Sequence, residues 1–475
     1  MLRQRFRNPP HPEAAAFGSS VEEDRALLPY DILASAAHVR MLVRQKLLPA
    51  KEGRALLREL ARLHGRALQG KFRLDASLED VHMNVEAALT KELGEVGAKL
   101  PTGRSRNDLV ATDLVLFLRE NLLSQEEALL ASVAELLRHS RGPEGKFVYP
   151  SATHLQDAQQ VYLAQILQVH AHRFLRDAQR LEGIRSSLRY CPLGAGAVAG
   201  SSLPLDPVHT ARLLGFQGPY SNSMDAVSDR DASVEALQAA ALLGVHLSSL
   251  AEEWVLWSTS QFARVRFGDD FVTTSSLMPH KRNPDLAELL RAEAGVLSGF
   301  AHSEVGILKG LPLAYNRDLQ TGKRVLLEGM ARSARALRLL VPLIRSATFL
   351  PQGTGKGAST ASVELANALV THGVPFRTAH GRVADFVRSL EEKGKALPDA
   401  TKDDWTRAFP ELGPEGWDPP EDADEAEMRK TSGGSSWTQV SRDQKLLHAA
   451  VIRAQRQTVR ERHREARLIQ ELLRT

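Results

Sequence analysis

Residues 107–140 contain neither glycine nor proline, and apolar side chains recur there at three- and four-residue spacing through Leu109, Val110, Leu114, Val115, Phe117, Leu118 and Leu122. That period marks a helix with one buried stripe. Unbroken, it extends roughly 50 Å at about 1.5 Å per residue, longer than most small domains are wide. Such a helix cannot bury its stripe alone, so the chain must supply partners of similar length.

Candidates are present. Residues 157–190 are interrupted only by Gly183 and residues 226–267 only by Gly244, residues 284–303 form a third, and another follows Gly322. Few alternating β-branched runs compete, and low aromatic content (5%) with many Leu, Ala, Arg and Glu residues favours helix. The predicted class is all-α, built on a central bundle of long helices.

At 475 residues the chain exceeds what one compact core serves. An N-terminal helical domain is expected over residues 1–104, with helices at 29–48, 50–69 and 78–93. A central long-helix bundle is expected over 105–351 and a C-terminal helical domain over 352–475, the second boundary falling in the turn-rich residues 351–357.

The 61 basic residues are nearly matched by 57 acidic ones, leaving a net charge of +4, which argues against a nucleic-acid partner despite a pI near 9.1. The basic run at 453–467 reads as a solvated helix face. A lone cysteine, Cys191, allows no intrachain disulfide and has no activating motif beside it, so a structural role in a reducing compartment is expected. The N-terminus has no apolar h-region and no run of about 18 apolar residues occurs, so a cytoplasmic protein without a membrane partner is expected.

Three loops carry the chemistry. In TTSSLMPHKRNP (273–284), Asn283 and Pro284 precede DLAELLRAEAG and read as a cap and first turn of a helix. Unpaired amides and the dipole there favour an anion, and Lys281 adds a full charge. The same grammar recurs at TGRSRNDLVATDL (102–114), with Asn107 or Asp108 as cap. It recurs again at SATHLQDAQQV (151–161), with His154 at a helix entry. Three helix starts rich in Arg, Lys or His suit one dianionic ligand, if they converge.

SSLMPHKRNPD resembles the signature of the fumarase/aspartase superfamily. KLPTGRSRNDLVATDL, THLQDAQ, SNSMDAVSDRD and LPLAYNRDLQ resemble the narrower versions of these blocks in the argininosuccinate lyase family, as do EDVHMNVE, PLGAGAVAG and PFRTAHGRV. The likeness runs from about Ser20 to the terminal helix. It implies a three-domain all-α fold in a homotetramer with a twenty-helix core, and active sites shared between copies. It also implies cofactor-free elimination of argininosuccinate to arginine and fumarate in arginine biosynthesis. Elimination of another succinyl-amine, or a structural homologue that has lost catalysis, are the alternatives.

By that resemblance Ser275 is the general base, and Lys281 and Asn283 hold the carboxylate being enolised. A serine is a poor base unless its alkoxide is stabilised, which gives the loop amides and Lys281 a purpose. His154 is the candidate for protonating the leaving nitrogen. Substrate binding falls to Ser20, His82, Ser105, Arg106, Asn107 and Thr153, and on the arginine side to Arg230, Tyr315, Gln320 and Lys323. No cofactor or metal is implied.

Departures from the family pattern are Pro101 in place of histidine, Leu109 in place of glutamine, and Thr274 in place of a glycine before the serine pair. Asp157 stands where a basic residue is usual, and on a helix it would lie one turn from His154 and could raise its pKa. Thr321 and Gly322 stand where the family usually carries an acidic pair between Gln320 and Lys323.

Overall fold

The long stripe finds its partners. The computed structural model describes residues 11–352 and 360–474, so residues 353–357 of the expected domain boundary lie outside the described residues. Helices α1 (Leu28–Arg44), α2 (Ala50–Leu68) and α3 (Val81–Leu93) precede α4 (Arg106–Arg141), the helix expected over 107–140. The bundle is completed by α5 (Leu163–Ser187), α6 (Asp231–Ser258), α7 (Asp285–Leu308) and α8 (Asp318–Ser346). Then come α9 (Ser362–Thr371), α10 (Phe376–Glu391) and α11 (Trp437–Leu473), with shorter helical turns among them.

Two of the predicted helices are shorter than the runs that suggested them, 157–190 and 226–267. Residues 157–162 belong to a strand, and 229–230 separate a short helix at Ser223–Ser228 from α6. Gly322 lies inside α8, not ahead of it. Gly244, an interruption in the sequence, is a contact point: a Cβ there would come within 3.0 Å of the Ala294 backbone on α7. Its absence lets the two helices approach closely.

Cross-helix contacts fix the directions. Gln125 bonds Ser333 and His139 bonds the Ile344 carbonyl, so α4 and α8 run parallel. His170 meets Glu253 and His246 meets Asp177, so α5 and α6 run antiparallel. Gly244 against Ala294 and Arg291 with Glu252 set α6 antiparallel to α7. The starts of α4, α6 and α8 and the finish of α7 therefore share one end of the bundle. The finishes of α4, α6 and α8 share the other with the start of α7.

Buried apolar residues form separate cores. One joins the bundle helices around Leu129, Phe174, Leu247, Trp254 and Leu340. A second joins α1, α2 and α3 around Ile32, Leu56 and Val85, and a third lies within 361–409 around Leu365, Phe386 and Trp405. The terminal helix α11 packs along α4 and α5, placing Leu447 and Val451 in the first core and Leu472 in the second. Arg462, within the basic run, pairs with Glu120 and Glu127 of α4 at 2.8 Å each.

Pro12–Arg44 and Asp231–Ser258 are long and apolar enough by composition to cross a membrane. Here 72% and 50% of their most apolar windows are buried within the protein.

Candidate active site

At the end where α4 and α8 begin, a cleft of about 140 Å³ is lined by Ser20, His82, Arg106, Asn107, Tyr315, Gln320 and Lys323, all predicted, together with Glu79, Asp80 and Arg317. Ser105 caps α4: its side chain accepts from the Asn107 amide while Asp108 accepts from the Ser105 amide, a reciprocal capping box. The predicted cap at Asn107 or Asp108 is thus displaced by one turn's logic, since a serine ahead of an acid three residues on satisfies two amides together. Asn107 is freed to donate to the Ala197 carbonyl at 3.0 Å. Asp108 also accepts from the amides of Gly194 and Gly196, tying the PLGAGAVAG loop to the start of α4.

The cleft's charges are matched. Arg106 pairs with Asp80 at 2.8 Å and Glu79 at 3.4 Å, and Arg317 pairs with Glu79 at 2.8 Å. Lys323 pairs with buried Asp24, which also accepts from the Ser20 hydroxyl at 2.7 Å. Gln320 and Arg317 both donate to the Gly18 carbonyl. Arg230, predicted to bind substrate, is not among the residues lining the cleft; it is 8% exposed and within electrostatic reach of Tyr315. Burial raises the Tyr315 phenol, keeping it a neutral donor.

Beneath the cleft sits a buried triad. His82 Nδ1 bonds Asp31 at 2.5 Å and lies 3.7 Å from Asp113. Burial works against the His82 imidazolium, but the hydrogen bond and charge of Asp31, with Asp80 and Asp24, outweigh it and raise its pKa. Burial and the Asp31 charge push Asp113 well above the usual carboxylate range. The three ligand atoms lie within 4.8 Å of one another, spacing that a metal ion would accept. Arg104 and Lys323 already bring positive charge to the triad.

The remaining predicted residues lie at the opposite end of the bundle. Thr153 and His154 are not on a helix. β1 (Val148–Thr153) and β2 (Gln156–Tyr162) form an antiparallel hairpin in which Thr153 pairs with Gln156. His154 and Leu155 make the two-residue turn at φ +57° and +60°. Both central residues at positive φ is the I′ pattern, which glycine and asparagine adopt most readily. Held by His and Leu, it is the kind of strained conformation that clusters at functional sites.

The hairpin also removes the expected helical relation between His154 and Asp157. The Asp157 charge instead supports Arg264. That guanidinium lies over the rings of Tyr149, Trp257 and Phe262.

Asn283 is likewise no helix cap. β3 (Thr273–Thr274) pairs with β4 (Arg282–Asn283), placing Asn283 opposite Thr273, and α7 starts after Pro284 without a side-chain cap. Pairing of this short ladder outcompetes the cap. The loop between the strands folds around Ser275, whose Oγ accepts from the amides of Leu277 at 3.2 Å and Met278 at 3.1 Å. Lys281 is exposed and makes no ion pair among the described residues. Cys191 is buried and its thiol is pushed up to about 12, which fits a structural role.

The two clusters are separated by the length of α7, 24 residues or about 36 Å. Glu79, Asp80 and Arg317 were not singled out by the sequence reading, although EDVHMNVE and LAYNRDLQ contain them. Asp113 likewise lies within TGRSRNDLVATDL without being singled out, whereas Asp31 had no such signal, being an isolated acid in a helical stretch.

A long-helix bundle with this cleft at one end and the serine loop at the other defines a lyase fold. A family model described as Lyase matches residues 4–299, and one described as Argininosuccinate lyase C-terminal matches residues 359–418. A crystal structure of EDDS lyase with formate superposes with a TM-score of 0.80 at 25% identity, covering 98% of this chain and 95% of that one.

The particular family follows from the curated relatives. Argininosuccinate lyase of Thermus thermophilus is 44% identical over 84% of this chain and 87% of its own. That of Geobacter sulfurreducens is 39% identical over 86% and 90%. The chain belongs to the argininosuccinate lyase family.

Proposed function

We propose that this protein eliminates arginine from argininosuccinate, releasing fumarate without a cofactor, as a step of arginine biosynthesis in the cytoplasm. The observation that carries the proposal is the one cleft formed by Ser20, Arg106, Asn107, Tyr315, Gln320 and Lys323, drawn from three separate segments of the chain. Its mixture of paired cations, carboxylates and neutral donors suits the zwitterionic arginine part of the substrate. The Ser275 loop, whose Lys281 makes no ion pair among the described residues, suits the succinyl part.

Ser275 takes the Cβ proton. The Leu277 and Met278 amides directed at its Oγ stabilise the alkoxide it needs beforehand. The electron pair moves onto the adjacent carboxylate, where Lys281 and Asn283 stabilise the dianion. The C–N bond then breaks, its electrons leaving on nitrogen, and His154 protonates that nitrogen while the C=C bond of fumarate forms. Tyr315, Gln320 and Lys323 hold the departing arginine.

Because about 36 Å separates the clusters within one chain, each complete site draws on more than one copy, in a homotetramer. Exposed Leu242 and Val245 on α6 and Leu289, Val296 and Val305 on α7 give the bundle an apolar outer face for those copies.

The test follows from shared sites. Ser275→Ala and Lys323→Ala should each abolish fumarate release from argininosuccinate, followed by absorbance. Hybrids refolded from an equal mixture should regain about a quarter of native activity, one half times one half, since some sites then receive both native halves. Inactive hybrids of folded tetramers would refute shared sites, and a wild-type protein that releases no fumarate would refute the substrate. The likeness to EDDS lyase favours, as a second reading, another succinyl-amine as substrate. Fumarate released from such a compound but not from argininosuccinate would establish it.

A further inference from the structure

Gly322, next to Lys323 on α8, stands where the family usually carries an acidic residue. The space is not empty. A Cβ at Gly322 would lie 3.0 Å from Glu304 Oε2 and 3.3 Å from Oε1. A carboxylate from the last turns of α7 thus fills the volume that a side chain on α8 would take.

Glu304 is 1% exposed, and its Oε2 has no hydrogen-bond partner among the described residues. Arg230, at the start of α6, is also buried and leaves its Nε without one. Arg230 feels Tyr315, Asp229, Glu304 and Tyr220, while Arg230 is the charge that acts on Glu304. Lys323 pairs instead with Asp24. Burial raises Glu304 to about 6 against the pull of Arg230. A buried carboxylate without a hydrogen-bonded partner is costly, and so is a buried guanidinium. Each offsets the other's charge.

We propose that Glu304 is a positioning residue that supplies from α7 the carboxylate missing from α8 at Gly322, balances buried Arg230, and thereby holds Tyr315 and the Lys323 wall of the cleft in place. This rests on the reading of that cleft as the arginine-side pocket.

The test is a swap, run on the full-length protein as Glu304→Leu, Glu304→Gln, Gly322→Asp and the double variant E304L/G322D. Glu304→Leu and Glu304→Gln should raise KM for argininosuccinate at least about fivefold while kcat falls less, and the double variant should recover most of that loss, as expected for coupled neighbours. Gly322→Asp alone sets two carboxylates together and should lower the unfolding midpoint, whereas the double variant should not. An unchanged KM in Glu304→Gln, or a double variant no better than Glu304→Leu, overturns the proposal. If Glu304→Leu fails to fold, Glu304→Gln and the double variant decide it.

Should the wild type release no fumarate, the assigned substrate fails. The swap is then judged on unfolding midpoints, where recovery in the double variant supports it and absence of recovery overturns it.

Discussion

His82 Nδ1 and Asp31 Oδ2 lie 2.5 Å apart, with side chains 3% and 1% exposed, directly beneath the cleft. The raised His82 pKa means that the folded state holds a proton which the unfolded state releases at lower pH. The resulting stability is fully present below the ordinary histidine pKa of about 6.5 and is lost as pH rises through the folded value. Asp31→Asn should lower the unfolding midpoint and flatten its fall with pH above that point. Thermal denaturation from pH 5 to 9 checks both, and a variant as steep as wild type would show that Asp31 does not hold the proton.

The hairpin turn separates function from fold. Asparagine tolerates the left-handed conformation that His154 adopts at φ +57°. His154→Asn should therefore keep the unfolding midpoint while lowering kcat by about 10²-fold or more, the usual contribution of a general acid. Full turnover in that variant would remove His154 from the mechanism.

Glu126, buried between α4 and α5 beside Arg185 at 3.4 Å, is raised by burial to about 7. A carboxyl raised in the folded state binds its proton more tightly there, so it opposes folding as pH climbs from its ordinary value to about 7. Glu126→Gln should flatten the pH dependence of the unfolding midpoint across that window. A slope equal to wild type would count against the assignment.

Arg40 of α1 reaches the last turn of α11, donating to the carbonyls of Leu472 at 2.8 Å and Glu471 at 3.1 Å. It meets both the unpaired carbonyls and the negative dipole end. Arg40→Ala should cost about 1 kcal/mol and speed hydrogen exchange in that last turn. Exchange unchanged beyond Glu471 would mean that the helix end is held otherwise.

Much of the architecture was legible. The stripe through Leu114, Leu118 and Leu122 is buried as its spacing requires, because side-chain period and buried face are both properties of a few consecutive turns. The blocks that form the cleft and the serine loop were legible too, since SSLMPHKRNPD, GRSRND and AYNRDLQ are contiguous residues.

Helix starts were another matter. Ser105 rather than Asn107 caps α4, and Asn283 is paired with Thr273 instead of capping α7. Several neighbouring side chains could have satisfied those amides, and the choice depends on what else each can reach. At His154 the hairpin has no Asn-Gly signal. Tyr149 is fixed by the Leu350 carbonyl at 2.7 Å and by Trp257, contacts made far along the chain.

Spacing alone determined that long helices exist here and which faces they bury, because those depend on neighbours three and four residues away. Tertiary packing decided which helix ends meet. It placed Lys323 with Asp24 at one end and Ser275 at the other, and set the Glu304 carboxylate against Gly322 from another helix. Helix direction, and charge supplied across space, have no trace in local period.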